Sequence, residues 1–494
     1  MSRKRSISRR QFLGEASCAA IGSTAFLSSV LNLGMINTAA ARPHILSNGN
    51  DYKAMVCILL AGGADSFNMI VPTNPEDYSE YTAVRGDLAL TFNSADQNDS
   101  QLLTLEHNNQ TYTKNGRTFG IHHGMTGAKN LFNSGDLAFI SNIGTLVEPI
   151  TDLDDLYLSG KQLPLGLYSH ADQIMQWQTS VPQNRTAVGV GGRMADMLKD
   201  MCGIDGVSMN ISLDGKNRFQ AGNSVIEFSI SNTATADNLG FEAPPDWWPN
   251  KGYLSQVRDR AVNNLVEDVY SDIFQSTYGS LTRQTVGSID LFKSALARKP
   301  DIPITFSENR LSQDLKMIAE IISVNQHLGN QRQIFFTTFG GWDHHDEVLN
   351  NQNRMLPILS NALSEFQAAM DHLNSQTSHA GIRDNFVAFT ISDFARTLTS
   401  NGNGSDHAWG GNNIIMGGAI DGGKVHGNYP ILNLNDALNI DERGRFIPTT
   451  SVDEFYAELA LWFGASPNDL SYILPNLGNF YSYSPSNTPL GLFV

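Results

Sequence analysis

The sequence predicts an α/β fold with a parallel central sheet, and three observations carry that expectation. Three apolar runs of strand length each lead into acidic residues: Met55–Leu60 into Gly62-Gly63-Ala64-Asp65, Ile334–Phe339 into Gly341-Trp342-Asp343-His344-His345, and Phe386–Ile391 into Ser392-Asp393. Leu311, Leu315, Ile318 and Ile322 recur on one helical face ahead of the second run, and Leu356–Leu373 is amphipathic ahead of the third. The order helix, strand, acidic loop, stated twice, is that of right-handed βαβ units. In such sheets the carboxyl ends of the strands converge on one crevice, where ligands bind.

From the N-terminus, Ser8-Arg9-Arg10-Gln11-Phe12-Leu13 is a twin-arginine pattern before a stretch without charge from Ala16 to Ala41. Ala39-Ala40-Ala41 offers the small residues of a signal-peptidase site. About 20 apolar residues can span a bilayer, but this stretch is diluted by Ser, Thr, Gly and Asn. A cleaved export signal over residues 1–41 is therefore expected, with the twin-arginine machinery as a partner, a periplasmic or secreted location and no stable membrane insertion after cleavage. Cys18 precedes the apolar region, which argues against a lipid anchor there. Loss of this segment would take the net charge from −16 to −20. Such a surface repels phosphate backbones and excludes nucleic acid as a partner. Cys57, inside an apolar run, reads as a buried thiol, and a chain of this length buries a core without a disulfide.

Residues 42–494 read as one domain, with an insertion or cap at about 200–300. After the first strand, the polar stretch Asn93–Arg117 reads as an excursion or a hairpin turning at Asn115-Gly116. Leu137–Ile143 has strand length, and Ala171–Gln178 has helical character. Pro244-Pro245-Asp246-Trp247-Trp248-Pro249 is a rigid segment whose tryptophans pack it onto the body or cover the pocket. Tyr253–Tyr278 reads as helical. Near the end, Ser451-Val452-Asp453-Glu454 is a capping box for a helix through Phe463, stopped by Gly464 and Pro467.

The acidic strand ends pose an electrostatic problem. Two carboxylates at about 4 Å repel by roughly 4 kcal/mol at an effective dielectric near 20, which a bound cation or protonation relieves. We read the constellation as a metal site. On an extended segment alternate side chains share a side, so Asp343 and His345 reach one ion while His344 points elsewhere. His407 sits in the Gly-flanked turn Ser405–Gly411, with Asp406 either ligating or orienting a neighbour. Asp65 lacks the lysine of a phosphate loop; it ligates, or caps the segment that follows. Asp393 is similar, and Arg396 either pairs with it or holds an anionic substrate oxygen. Ser169, before a helical segment, is an N-cap or a nucleophile at the positive end of a helix dipole, with Ser66 as competitor.

The leader, Gly62-Gly63-Ala64-Asp65, Ser169-His170, Gly341–His345, Ser392–Thr397, Gly404–His407 and Gly422-Gly423-Lys424-Val425-His426-Gly427 together resemble, in order, the bacterial twin-arginine-exported "domain of unknown function 1501" family. The resemblance covers essentially the whole chain after the leader. It implies an alkaline-phosphatase-like three-layer sandwich, with a mostly parallel sheet between helices, in the superfamily that includes the sulfatases. It also implies hydrolysis or transfer of phosphate or sulfate esters, on a small molecule or glycan, at one or two divalent metal ions. Zinc, manganese and iron all suit mixed oxygen and nitrogen donors. Residue by residue, the resemblance implies that Asp343, His345 and His407 hold one metal. Asp65 and Asp393 would hold a second, bridged by Ser169 as nucleophile. Two positions depart from the pattern: Phe394 stands where an imidazole is expected, and His344 where a threonine is usual. The alternatives are a non-catalytic envelope protein retaining a structural metal, and a metal-free serine hydrolase, which lacks a Gly-x-Ser-x-Gly elbow at Ser169.

Overall fold

In a computed structural model of the chain, the described residues are 52–96, 99–199, 207–232, 287–482, 484 and 488–494. The expected leader, the segment Pro244–Pro249, the expected helix Tyr253–Tyr278, Cys18 and Cys202 all lie outside them.

Among the described residues, nine strands form the main sheet: β1 (Lys53–Ala61), β2 (Leu137–Gly144), β3 (Asn210–Ser212), β4 (Phe228–Ser229), β5 (Arg332–Gly340), β6 (Phe386–Ser392), β7 (Gly411–Met416), β8 (Val425–His426) and β9 (Thr450–Ser451). Their spatial order is β4-β3-β5-β1-β6-β7-β2-β8, with β9 also on β2. β7 runs antiparallel to both neighbours, and every other pairing is parallel. Ala61 lies opposite Gly340, and Leu60 opposite Ser392. β1, β5 and β6 therefore finish level, and the acidic loops that follow leave from one edge.

Side chains alternate across the sheet, and β1 is apolar on both faces. Ala54, Val56, Ile58 and Leu60 join the core that takes in helices α2 (Thr126–Ser134), α5 (Arg310–Ile322) and α6 (Val348–Asn374). Met55, Cys57 and Leu59 join the opposite core, with α3 (His170–Thr179), α4 (Val190–Leu198) and α7 (Val452–Phe463). The result is three layers, helices over a mostly parallel sheet over helices. Each fully buried Leu, Ile, Val, Phe or Met contributes roughly 1.5–3 kcal/mol relative to exposure. Helix α1 (Pro75–Arg85) follows β1 and packs beside the short strand Ile70–Pro72 of a small antiparallel sheet.

The four longest strands, β1, β2, β5 and β6, lie where the apolar runs place them. The Asn115-Gly116 turn joins Thr113–Lys114 to Arg117–His122, with φ of 53° and 80° as a two-residue hairpin turn requires. At α7 the Ser451 hydroxyl accepts from Glu454 N–H (3.1 Å), and the Glu454 carboxylate accepts from Ser451 N–H (2.8 Å). One boundary differs from the periodicity. α6 begins at Val348, eight residues before the expected start, and carries Pro357 inside it. Proline there lacks the N–H owed to the carbonyl four residues back, so it imitates a helix start. α5 stops at Ile322, and a separate short turn, Asn325–Leu328, carries the chain to Gly329.

Candidate metal centre

The loops leaving β1 and β5 touch backbone to backbone, and side chains of the loop leaving β6 reach both. Gly62 has φ of 119°, and a Cβ there would lie 2.5 Å from Asp343 N, so only glycine admits this approach. Gly62 N–H donates to Asp393 Oδ1 (3.0 Å). Arg396, fully buried, binds the loops together: Nε donates to Gly63 O (2.8 Å), Nη1 to Ser405 O (3.0 Å), and Nη2 to Gly62 O and Asp343 Oδ1. The rigid guanidinium fork suits such multiple contacts. An antiparallel bridge pairs Arg396 with His407, closed by Thr397 N–H to Asp406 O and Ala408 N–H to Ala395 O, both 2.8 Å. That bridge fixes the His407 turn beside the end of β6.

One ligand atom each from His170, Asp343 and His407 all lie within 4.8 Å of one another. His345 joins them, with Nε2 3.2 Å from Asp343 Oδ1 and 2.8 Å from His407 Nε2. Each imidazole is held from behind. His170 Nδ1 lies 2.7 Å from Asp393 Oδ2, His345 Nδ1 3.1 Å from Asp406 Oδ1, and His407 Nδ1 2.8 Å from Tyr168 O. Carboxylate and carbonyl oxygens accept, so each Nδ1 is the ring nitrogen placed to carry a hydrogen, and Nε2 faces the centre. All three Nε2 atoms turn toward Asp343, at 3.2 Å for His345, 3.6 Å for His407 and 3.7 Å for His170. Acceptors on the distal nitrogen of a ligating histidine are the usual support of a metal site. With hydrogens on both Nδ1 atoms, His345 Nε2 and His407 Nε2 face each other lone pair to lone pair, which a shared proton or a cation relieves.

The electrostatics agree. Burial pushes the Asp343 carboxyl up, but the hydrogen bond and charge of Arg396, with His345 and His170, hold it below the usual carboxylate range. Burial, and then the nearby Arg396 charge, push the His407 imidazole down against the bond to Tyr168 O, which favours its neutral form. For Asp406, Asn401, His345 and Arg443 outweigh burial and keep the carboxyl low. Around the rings, Arg396 pairs with Asp343 and Arg443 with Asp406, and Asp393 faces His170. Phe394 packs under two of the rings, with centroids 4.7 Å from His170 and 4.4 Å from His407.

The structure thus brings Asp343, His345 and His407 together and adds His170. Asp393 stands behind His170, and Arg396 pairs with Asp343 rather than with Asp393. Ser169 is the N-cap of α3, with its Oγ 3.5 Å from Asp172 N. Asp65 is placed elsewhere: it is fully buried in an ion pair with Arg85 and accepts from Ser405 Oγ (2.8 Å) and Phe67 N–H (3.2 Å). Ser66 Oγ accepts from Asn412 N–H (2.9 Å). His344 is buried between the exposed Asp343 and His345, an alternation of burial that fits the expected alternation of side chains. Sequence reasoning named His170 only as the neighbour of Ser169; its signal was its place at a helix start in a motif already singled out. The Tyr168 carbonyl, presented from a left-handed residue with φ of 69°, carries no side-chain signal at all.

Residues 319–473, less than half of the chain, match the family described as "Protein of unknown function (DUF1501)". That span holds Asp343, His345, Asp393, Arg396 and His407, and omits Asp65, Ser169 and His170. Among solved structures, a 2-O GAG sulfatase aligns over 84% of this chain and 71% of its own, at 10% identity and a TM-score of 0.28. No functionally curated protein matches the chain.

Proposed function

We propose that this protein is an exported, divalent-metal-dependent hydrolase of phosphate or sulfate esters, on small molecules or glycans. One observation carries the reading: three imidazoles, each tethered through Nδ1, turn Nε2 toward the carboxylate of Asp343. Imidazole nitrogens with one carboxylate are a donor set that suits zinc, and manganese and iron share it. His170, Asp343, His345 and His407 would hold the ion. When bound, such a cation supplies Lewis-acid stabilisation of the charge that builds on a phosphoryl or sulfuryl oxygen.

The chain's own groups do the rest. Asp393 and Asp406 aim the His170 and His345 rings, and Arg396 fixes one oxygen of Asp343. Asp343 is 49% exposed, so an ester reaches the centre from solvent. Attack falls to the Ser169 hydroxyl, at the positive end of α3, or to water. The Arg85 guanidinium already neutralises Asp65, which favours one cation over two. Delivery by the twin-arginine route belongs to the same proposal and rests on the leader of residues 1–41.

Phe394, packed against two of the rings where a polar group is expected, favours a second reading: a non-catalytic protein that keeps a structural cation. Elemental analysis of the purified protein beside Asp343→Ala, with a screen of aryl phosphates, phosphodiesters and sulfates, separates the two. The hydrolase reading expects bound metal and turnover in the wild type and loss of both in the variant. Equal, negligible metal in both proteins ends the proposal. Metal without turnover on any ester supports the second reading.

A further inference from the structure

A cleft of about 330 Å³ runs along α3, away from the metal centre. Ala171, Ile174, Met175 and Gln178 line one wall, spaced i, i+3, i+4 and i+7 on a single helix face. Leu59 of β1 and Phe336 of β5 supply an apolar floor. The near end lies at Ala171, beside His170. The far end lies at Gln178, about 10 Å along the helix at 1.5 Å per residue.

The far rim carries charge. It is the loop after β3, anchored by Arg218 N–H and Phe219 N–H, which both donate to Gln178 Oε1 (2.8 and 2.9 Å). Lys216 and Arg218 line the cleft from this loop with exposed side chains. Asp214, on the same loop, also lines the cleft, and its carboxylate is engaged by Arg310. Neither Lys216 nor Arg218 has a carboxylate partner among the described residues. Two uncompensated cations at the end of an apolar groove, on a chain of net charge −16, mark a place that attracts an anion.

We propose that this cleft is a substrate subsite. It takes the apolar body of an ester whose scissile group sits at the metal centre, and Lys216 and Arg218 bind a second anionic oxygen group, a sulfate or a carboxylate, at the far end. The substrate is then acidic at both ends. This inference rests on the hydrolase reading for its orientation, and its test is independent of turnover.

The probes are naphthalene-2-sulfonate and naphthalene-2-carboxylate, which contain no scissile ester, with naphthalene-2-methanol as the neutral control. Calorimetric titration is expected to show at least one anionic probe binding the wild type and Asp343→Ala alike. The double variant Lys216→Ala/Arg218→Ala, changed at two exposed positions and checked by thermal melting, is expected to bind that probe at least tenfold more weakly and the neutral control unchanged. Failure of both anions to bind the wild type, equal binding by the double variant, or loss of binding in Asp343→Ala overturns the inference. Binding that survives in a metal-free Asp343→Ala protein upholds the subsite even where the hydrolase reading has failed.

Discussion

Asp393 shows how a single carboxylate changes role with its surroundings. At a strand end it reads as a ligand, yet Oδ1 accepts from Gly62 N–H and Oδ2 faces His170 Nδ1. Its place is behind the ring. Asp393→Ala is therefore expected to lower metal affinity 10–100-fold, the usual cost of removing such a partner, as measured by competition with a chelator. The Ser169 hydroxyl caps α3, so Ser169→Ala is expected to cost about 1 kcal/mol in denaturant unfolding. If turnover also falls more than about 100-fold with metal content intact, the hydroxyl acts in the chemical step. Asp343 and His345 were legible because alternation along an extended segment is a local rule. His170 was less so, because its ring is aimed by a residue 223 positions away.

Between elements, the ion pair of Asp65 with Arg85 joins the loop after β1 to the last residue of α1. Arg85 Nη1 also donates to Thr397 O (3.0 Å) and Leu398 O (3.1 Å), and Nε donates to Asn68 Oδ1 (3.1 Å). One guanidinium thereby fixes two loops that flank the centre. Removing one partner of a buried pair leaves the other charge uncompensated. Arg85→Met is expected to destabilise the fold by about 3–5 kcal/mol, read by denaturant unfolding. The positions of β1, β2, β5 and β6 were legible from unbroken apolar runs, as befits strands buried on both faces, whereas the shorter β3, β4, β7, β8 and β9 were not read from the sequence. The start of α6 was not, because Pro357 stands inside the helix, and nothing local distinguishes an interior proline from a first-turn one.

Across the whole molecule, pH acts through a group far from the metal centre in function. Asp453, in the first turn of α7, is fully buried, and burial pushes its carboxyl up to about 8, with Ser180 and Arg193 offsetting only part. Unfolded, it ionises near pH 4. Between those values the unfolded state holds fewer protons than the folded one, so this group makes stability fall as pH rises. Asp453→Asn is expected to raise stability at pH 8 by about 1–3 kcal/mol and to leave it nearly unchanged at pH 4, as thermal melts at the two values would record. No helix among the described residues is long and apolar enough to cross a membrane.

By itself the sequence determined where β1, β2, β5 and β6 lie, that acids follow three of them, and that Asp343 and His345 share a side. These depend on periodicity and stereochemistry within a few residues. Only the tertiary structure decided which acids meet the imidazoles: Asp65 is taken up by an arginine on α1, and Asp393 and Asp406 stand behind the rings. Those pairings depend on how loops from β5, β1 and β6 pass one another, which is set by strand order and by the close approach at Gly62, neither of which is written in a local stretch of chain.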